Sequence, residues 1–252
     1  MDQIRLNKFL AERLGVSRRE ADDLIVDGQI TVDGKTAKLG EKIDKSSKVC
    51  YNKKIVPFDT EFSYLAFNKP VGYVCSRKAQ GSTPTLYELL PKKYHHLKTV
   101  GRLDKDTSGL ILLTNDGDFA FQMTHPKFHK EKTYEVELDR ALQPLHQQMI
   151  SDFGVLLDDG PSKFTVMRSL STGDAAREIP KMFDDGQKFG ENTATGPVEQ
   201  THYTVILAEG RNRQIRRTFA ALGYKVVKLH RTKFGKYELS GLAPGKCVII
   251  KP

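Results

Sequence analysis

The segment that most constrains this chain covers residues 101–117 and reads GRLDKDTSGLILLTNDG. Glycines near its start and its middle bracket a loop that carries two carboxylates, Asp104 and Asp106. The apolar run from Leu110 to Leu113 leads out of this loop and predicts a buried strand. A carboxylate on a loop fixed by a buried strand is held rigidly, as a nucleophile or a general base must be. The segment therefore indicates a candidate catalytic aspartate.

The same two aspartates have other interpretations. From Asp104 onward the pattern DxDxSG mimics the start of an EF-hand calcium loop, but its twelfth position is Asn115, where that loop needs a bidentate glutamate. A magnesium site would require a third acidic or histidine ligand, and none has convincing spacing. Taken alone, a DxD pattern is by default a pair of surface aspartates in a turn, so other parts of the chain must decide.

Apolar alternation and helical periodicity together predict an α+β architecture. Residues 64–67, 110–113 and 134–138 have the patterns of strands. Helical patterns lie between and beyond them, near residues 84–90, 117–124, 141–151 and 212–222. We therefore expect a largely antiparallel, mixed sheet flanked by helices. Residues 171–200 are polar, rich in glycine and without periodicity, which predicts a long loop.

The first part of the chain predicts two short helices followed by a hairpin-rich piece. Apolar residues recur at helical spacing over residues 4–14. Ser17 and Glu20 then form a capping box, in which each side chain satisfies a backbone N–H of the other residue. Short β segments are expected at residues 30–32 and 49–51. These patterns predict that the first part of the chain forms a small, separate module.

The C-terminal part carries a one-sided excess of positive charge. Between residues 205 and 237, nine lysines or arginines stand against one acidic residue, Glu209. On the helix predicted there, Arg213, Arg216 and Arg217 form one stripe, and like charges that close repel unless an anionic partner is bound. The whole chain has 40 Lys and Arg against 31 Asp and Glu, a net charge of +9. Such a surplus fits a polyanionic partner, although it also serves solubility.

These features occur in the order of a known family. The chain resembles the RsuA-type family of ribosomal RNA pseudouridine synthases with an N-terminal S4 RNA-binding domain. The resemblance rests on RLNKFLAERLGVSRREADDLIVDGQITVDGK near the start, then on NKPVG (68–72), GRLDKDTSGLILLTNDG (101–117), EKTYEVEL (131–138) and EGRNRQIRRTFAALGYKVVKLHR (209–231). It implies an S4-like domain at residues 1–56, a linker at 57–62, and a pseudouridine synthase domain at 63–252 that contains the long polar loop.

The resemblance implies three catalytic residues. Asp104 matches the family's catalytic aspartate, and Arg216 matches an arginine that pairs with this carboxylate and favours its ionised form. Tyr134 matches the tyrosine that packs against the target uracil. Its alternation with Val136 and Leu138 is also typical of a core tyrosine, and the resemblance favours the site.

The resemblance and the charge pattern also imply contacts to the substrate RNA. Arg102 matches an arginine that fills the stack vacated by the flipped base, Leu229 matches an apolar residue of the pocket, and Lys69 belongs to a KPxG motif that we assign to the substrate site with a mainly structural role. Basic residues of both modules are expected to bind RNA: Arg5, Lys8, Arg18, Arg19, Arg211, Arg213, Arg217 and Arg231.

The implied reaction needs no cofactor. Pseudouridine formation cleaves the N1–C1′ bond of uridine, rotates the base and rejoins it through C5, so no atom is gained or lost and no redox cofactor or ATP is required. The seven histidines do not cluster with cysteines or carboxylates, and we expect no metal. The expected partner is ribosomal RNA or a ribosomal subunit assembly intermediate. A monomer is expected because the identified surfaces are assigned to RNA.

The remaining expectations concern location and competing functions. The chain opens MDQIRLNKFL, where charges interrupt each apolar run, so we expect no signal peptide, no membrane span and a cytoplasmic protein. Its three widely spaced cysteines are interpreted as reduced thiols. A non-catalytic RNA-binding factor of ribosome assembly and a tRNA-directed synthase are the alternatives. The modified uridine and its ribosomal subunit stay open.

Overall fold

The computed structural model describes residues 3–59, 61–77, 81–168 and 201–252. The long loop predicted at residues 171–200 therefore lies outside the described residues. The N-terminal part contains β1 (Ile4–Arg5), α1 (Leu6–Arg13), α2 (Arg18–Val26), β2 (Ile30–Val32), β3 (Lys35–Thr36), β4 (Lys42–Ile43), β5 (Val49–Tyr51) and β6 (Lys54–Ile55).

The predicted local signals of the N-terminal part are confirmed with one correction. The Oγ of Ser17 accepts from the backbone N–H of Glu20 at 3.1 Å, and the N–H of Ser17 donates to the Glu20 carboxylate at 2.7 Å, which completes the capping box. The first helix begins at Leu6 and not at residue 4. The reason is that Ile4 and Arg5 are extended and pair with β4.

The N-terminal elements enclose a core of their own. One face of α1 buries Leu6, Phe9 and Leu10, and α2 adds Ala21 and Ile25. A four-stranded sheet in the order β3-β2-β5-β6 packs against these side chains, and β4 pairs separately with β1. Burial of an apolar side chain of this size contributes about 1.5–3 kcal/mol. The module's hydrophobic cluster is thus distinct from the clusters of the rest of the chain.

The larger part of the chain is built on strands. These are β7 (Tyr64–Lys69), β8 (Lys98–Val100), β9 (Ser108–Thr114), β10 (Lys132–Leu138), β11 (Val155–Leu157), β12 (Gly160–Ser162), β13 (Thr165–Arg168), β14 (His202–Leu207), β15 (Val226–Phe234), β16 (Tyr237–Glu238) and β17 (Cys247–Ile249). Its α-helices are α3 (Gly117–Thr124), α4 (Pro144–Gln148) and α5 (Gln214–Ala221). Short 3-10 helices occupy Leu86–Leu89, Lys92–Tyr94 and Pro126–Phe128.

Nine of the described strands form one mixed sheet, as the α+β prediction requires. Its main path runs β13-β14-β10-β15-β9-β7-β17, with β16 beside β15 and β8 beside β9. Strands β9 and β15 pair in parallel, and the other described pairs of this sheet are antiparallel. The predicted helices at 117–124 and 212–222 are confirmed. The one predicted at 84–90 is a 3-10 turn, and the one at 141–151 is a short helix that continues as a π-helical turn, Met149–Phe153.

The parallel contact between β9 and β15 is unusually close. Arg231 of β15 pairs with Gly109 of β9, whose φ is +108°. A Cβ on Gly109 would lie 2.2 Å from the carbonyl oxygen of Arg231. Only glycine fits this position, because any larger residue both clashes with backbone and strains its own φ. The glycine that follows the predicted catalytic loop therefore joins the two halves of the sheet.

The N-terminal module packs against the larger part through the end of α1. Lys98 donates to the carbonyl oxygens of Val16 at 2.6 Å and Ala11 at 3.2 Å, and Arg77 donates to that of Gly15 at 2.9 Å. Cations at a helix C-terminus are favourable because the last carbonyls lack intrahelical donors.

Among the described residues, no helix is both long enough and apolar enough to cross a bilayer.

The close contact makes Gly109 sensitive to substitution. We expect Gly109→Ala to lower the free energy of unfolding by more than about 3 kcal/mol, since a clash adds to backbone strain. Gly241→Ala is the control: φ is +75° there and nothing lies within 4 Å of the added Cβ. It should cost about 1–2 kcal/mol. Urea unfolding measures both, and equal losses would contradict the proposed contact.

Candidate active site

A cleft of about 360 Å³ opens at the junction of β9 and β15. Its walls are the loop before β9, the facing strands β10 and β15, and the segment from the end of β14 into α5. This volume is within the range of pockets that bind a small ligand, roughly 300–1,000 Å³. Asp104, Tyr134, Arg216, Arg102 and Leu229, which lie in three separate motifs of the sequence, all line it.

The two aspartates of the loop have different environments. Arg213 donates to the two carboxylate oxygens of Asp106 at 3.0 and 2.9 Å, and Arg216 approaches the same carboxylate at 3.3 Å. The hydrogen bonds from Arg213, and the charge of Arg216 beside it, hold the pKa of Asp106 below its usual range. Asp104 lines the cleft, which Asp106 does not, and the ion pair of Asp104, with Arg213, is longer at 3.7 Å. Asp106 is thus an anchor, and Asp104 is the carboxylate available for chemistry.

The position of Arg216 corrects its expected pairing. Its ion pair is with Asp106, while Arg213 makes the ion pair to Asp104. Arg216 is held in place because it also donates to the carbonyl oxygens of Asp106 at 2.8 Å and Val226 at 2.9 Å. Arg213 precedes α5 with a left-handed φ of +46° and contacts both carboxylates of the loop.

The backbone of the loop is fixed from below by groups that the sequence did not reveal. The thiol of Cys75 accepts from the N–H of Leu103 and donates to its carbonyl oxygen, both at 3.3 Å. The N–H of Gly72 donates to the carbonyl oxygen of Lys105 at 2.8 Å. Gly72 ends the NKPVG motif and Cys75 lies three residues beyond it. Asp104 is therefore held between two tethered residues, Leu103 and Lys105.

Strands β10 and β15 supply the inner wall. Tyr134 is 8% exposed, belongs to the main hydrophobic cluster and also lines the cleft, so its two expected roles are compatible. Leu229 is buried beside it and lines the same wall. Arg102 lies on the opposite, exposed side, at the entrance to the loop.

Lys69 does not lie at the substrate site, where it was expected. Its side chain is 0% exposed, and its ammonium donates to the carbonyl oxygen of Pro70 at 2.9 Å. Burial lowers its pKa, partly offset by the nearby Cys75 and Asp104. A side chain enclosed in this way cannot contact a substrate, so Lys69 supports the loop from behind, as the structural role of its motif suggested.

The predicted RNA-binding residues divide into free and paired groups. Arg5, Arg18 and Arg19 are exposed on the N-terminal module. Lys8, in contrast, makes a 2.5 Å ion pair with Asp118 of the larger part. Lys8 therefore also takes part in the contact between the two modules.

The basic stretch around α5 is less one-sided than its sequence suggested. Arg211 pairs with Asp159 at 2.9 Å, and Arg217 pairs with Asp158 and, at 2.6 Å, with Asp159. These carboxylates come from the hairpin of β11 and β12, distant in sequence, so counting charges over 205–237 missed them. Together with Asp106, they offset the repulsion along the helix.

Arg231 also departs from its expected role at the RNA surface. Only 2% of the residue is exposed, and its Nε donates to the carbonyl oxygen of Leu110 at 2.7 Å. Its guanidinium lies 6.0 Å from the ring centroid of Tyr134. Arg231 lines the cleft from inside, because its backbone pairs with Gly109 at the sheet junction.

Lys132 is a cleft residue that sequence reasoning missed, although it stands two positions before Tyr134 in the EKTYEVEL motif. Its ammonium donates to the carbonyl oxygens of Lys130, Ala208 and Glu209 at 3.1–3.5 Å. Burial, together with the nearby charge of Arg231, lowers the pKa of Lys132 to about 8.

The described residues contain no group of three or more His, Cys, Asp or Glu that could hold a metal ion.

Comparisons with known proteins agree with this arrangement. Residues 63–221 match the RNA pseudouridylate synthase family, and residues 4–49 match the S4 domain. The chain is 35% identical to ribosomal small subunit pseudouridine synthase A of Pasteurella multocida, over 96% of this chain and 94% of that protein. It is 32% identical to ribosomal large subunit pseudouridine synthase B of Yersinia pestis, over 96% of this chain and 70% of that protein.

A solved structure is similar over nearly the whole chain. A crystal structure of a pseudouridylate synthase superposes with a TM-score of 0.63 at 30% sequence identity, covering 98% of this chain and 96% of that one. The similarity therefore extends through both modules and through every motif that lines the cleft.

The depressed pKa of Lys132 can be measured directly. After reductive methylation with ¹³C-formaldehyde, we expect the NMR signals of the α-amino group and of Lys132 to titrate near pH 8, and Lys132→Arg should remove only the second. In the unfolded chain Lys132 has the ordinary lysine pKa of about 10.4, so it keeps its proton up to about that pH. Because the unfolded state then binds more protons than the folded state, stability should rise with pH between these two values. A Lys132 signal that titrates near 10.4 would contradict the burial described.

Proposed function

The chain belongs to the RNA pseudouridylate synthase family, and we propose that it isomerises a uridine of ribosomal RNA to pseudouridine with Asp104 as its catalytic carboxylate. The observation that carries the assignment of Asp104 is the contrast between the two aspartates of one rigid loop. Asp106 is occupied by two arginines, whereas Asp104 faces the cleft with a single, longer ion pair. The ribosomal substrate is supported by relatives whose names give small- and large-subunit synthases.

One carboxylate is sufficient for the chemistry. Asp104 either attacks C1′ of the ribose or removes the 2′ proton to give a glycal, and in both routes the N1–C1′ bond breaks. Either role requires the ionised carboxylate, which the charge of Arg213 at 3.7 Å favours. The tethers on Leu103 and Lys105 hold Asp104 in place, and such positioning lowers the barrier because the geometry is set before reaction.

The uridine must leave its stack to reach Asp104. Extrusion of a base costs a few kcal/mol. Stacking on an aromatic ring recovers about 1–3 kcal/mol, and Tyr134 is the aromatic residue placed for it. Leu229 packs beside that ring, and Arg102 at the entrance is positioned to fill the gap left in the RNA. The cleft's volume of about 360 Å³ accommodates a nucleotide base with its ribose.

The N-terminal module provides the RNA-binding surface outside the cleft. We assign this role to Arg5, Arg18 and Arg19, which are exposed on a domain of the S4 type. The proposed boundaries are residues 1–56 for this domain and 63–252 for the catalytic domain. The enzyme is proposed to act as a monomer in the cytoplasm, on ribosomal RNA or on a subunit assembly intermediate.

The function is tested by mapping pseudouridine in ribosomal RNA by carbodiimide labelling, in cells with and without this protein. We expect one uridine of one subunit to lose its label in the deletion and to regain it when the wild-type protein is restored. Both ribosomal RNAs should be mapped, since the relatives include synthases of each subunit. Loss of a label in tRNA alone would assign a tRNA substrate. No change in either class would favour a non-catalytic RNA-binding factor.

A further inference from the structure

Two cations lie side by side on the inner wall of the cleft. The guanidinium of Arg231 is 4.9 Å from the ring centroid of Phe234, and the ammonium of Lys132 is 5.2 Å from the same centroid. Both residues line the cleft. In the described part of the chain, neither forms an ion pair with a carboxylate, in contrast to the arginines of α5. The inner wall is therefore a positive pole that this part of the protein does not neutralise.

Arg231 also has a hydrogen-bonding group without a partner. Its Nε is satisfied by Leu110, but its Nη2 is buried and has no acceptor among the described residues. A buried unsatisfied donor is costly, so one that persists in a folded protein calls for an explanation. A substrate atom that enters the cleft would provide the missing acceptor.

The position of the Arg231 guanidinium relative to Tyr134 indicates which substrate atoms would be this acceptor. Tyr134 and Arg231 are register partners on β10 and β15, with the guanidinium 6.0 Å from the ring centroid. A base stacked against Tyr134 brings its edge toward Arg231. The edge of uracil presents carbonyl oxygens, which are acceptors for guanidinium N–H groups.

We propose that Arg231 is a further catalytic residue, which, together with Lys132, stabilises the negative charge on the uracil while it is detached from the ribose. This inference rests on the proposed function, because the charge exists only during isomerisation. This proposed role replaces the contact with the RNA surface that the sequence suggested for Arg231. It also assigns a role to Lys132, which had none from the sequence.

The charge follows from the bonds that change. When the N1–C1′ bond breaks, its electron pair leaves with the base, which becomes a uracil anion with charge spread over N1 and the carbonyl oxygens. The base rotates and uses an electron pair at C5 to form the C5–C1′ bond. In the nucleophilic route the bond from C1′ to Asp104 breaks at this step, and in the glycal route C2′ regains its proton from Asp104. C5 then loses its proton, and N1 gains one. Fixed positive charges that face the anion in a water-poor site lower the barrier, since they need no reorganisation.

A phosphate of the RNA backbone carries the same charge and is the other source of an anion for this pole. The two sources differ in what they control. A phosphate contact is made in the bound ground state, so its loss weakens RNA binding and flattens the salt dependence. Stabilisation of the detached uracil acts only during the reaction, so its loss lowers kcat and leaves affinity unchanged.

The test uses the full chain with ribosomal RNA transcribed in vitro from [5-³H]UTP, because the tritium on C5 is released as pseudouridine forms. Single-turnover rates with enzyme in saturating excess over RNA, and Kd at several salt concentrations, are measured. We expect Arg231→Gln to lower the rate about 100-fold and Arg231→Lys to recover part of the loss. We expect Lys132→Met to lower it about 10-fold. Kd should stay within about twofold, with the same salt slope.

Arg168→Gln is the matched control, since Arg168 is an exposed arginine of the same sheet that does not line the cleft. It should release tritium at the wild-type rate. If Arg231→Gln fails to fold by thermal melting, Arg231→Lys and Lys132→Met decide the question. Unchanged rates, or weaker binding with a flatter salt slope and an unchanged rate, would overturn the proposal. A wild-type protein that releases no tritium would instead reject the proposed function itself.

Discussion

The contact of Gly109 with Arg231 determines how the rest of this molecule is arranged. It joins two halves of a sheet through a parallel pair, at the second residue of the buried strand β9 and five residues after Asp104. The side chain of Arg231 reinforces the junction by binding the carbonyl oxygen of Leu110. The pairing of β9 with β15 is confined to two register pairs, and the loop before β9 borders the cleft beside them.

The charged residues of the cleft form two groups, those paired with other residues of the protein and those with weak or no ionic partners. The arginines that enter from α5 are offset by carboxylates of the protein itself, Asp106 from the loop and Asp158 and Asp159 from a hairpin. These pairs fix the shape of the site. Asp104 on one wall and the cations Arg231 and Lys132 on another are left with weaker or no ionic partners in the described structure. The reaction places an electron-poor ribose carbon and an electron-rich base between these groups.

The sequence predicted the fold class and the residues that line the site, but it predicted pairings poorly. Capping signals, strand alternation and the loop before Leu110 depend on near neighbours, so Ser17, Tyr134 and Asp104 were placed correctly in their elements. Ion pairs depend on residues brought together by the sheet. Arg211 and Arg217 were therefore expected to bind RNA, without ion pairs inside the protein, and Arg216 was expected on Asp104. Burial of a long polar side chain is equally hidden, because Lys69 was expected at the substrate site and Arg231 at the RNA surface, and only the strands around them show that both are buried. Lys132 and Cys75 carried no local signal of their role.

The central claim is that two aspartates on one loop have separate tasks, and comparing their amides tests it most directly. Pseudouridine formation would be measured by tritium release with purified Asp104→Asn and Asp106→Asn, alongside RNA affinity and thermal stability. We expect no detectable turnover for Asp104→Asn, with RNA affinity within a few fold of wild type. Asp106→Asn should remain active, with a rate lowered about 10- to 100-fold by misplacement of the loop. Turnover by Asp104→Asn at the rate of the wild type, or complete loss confined to Asp106→Asn, would contradict it.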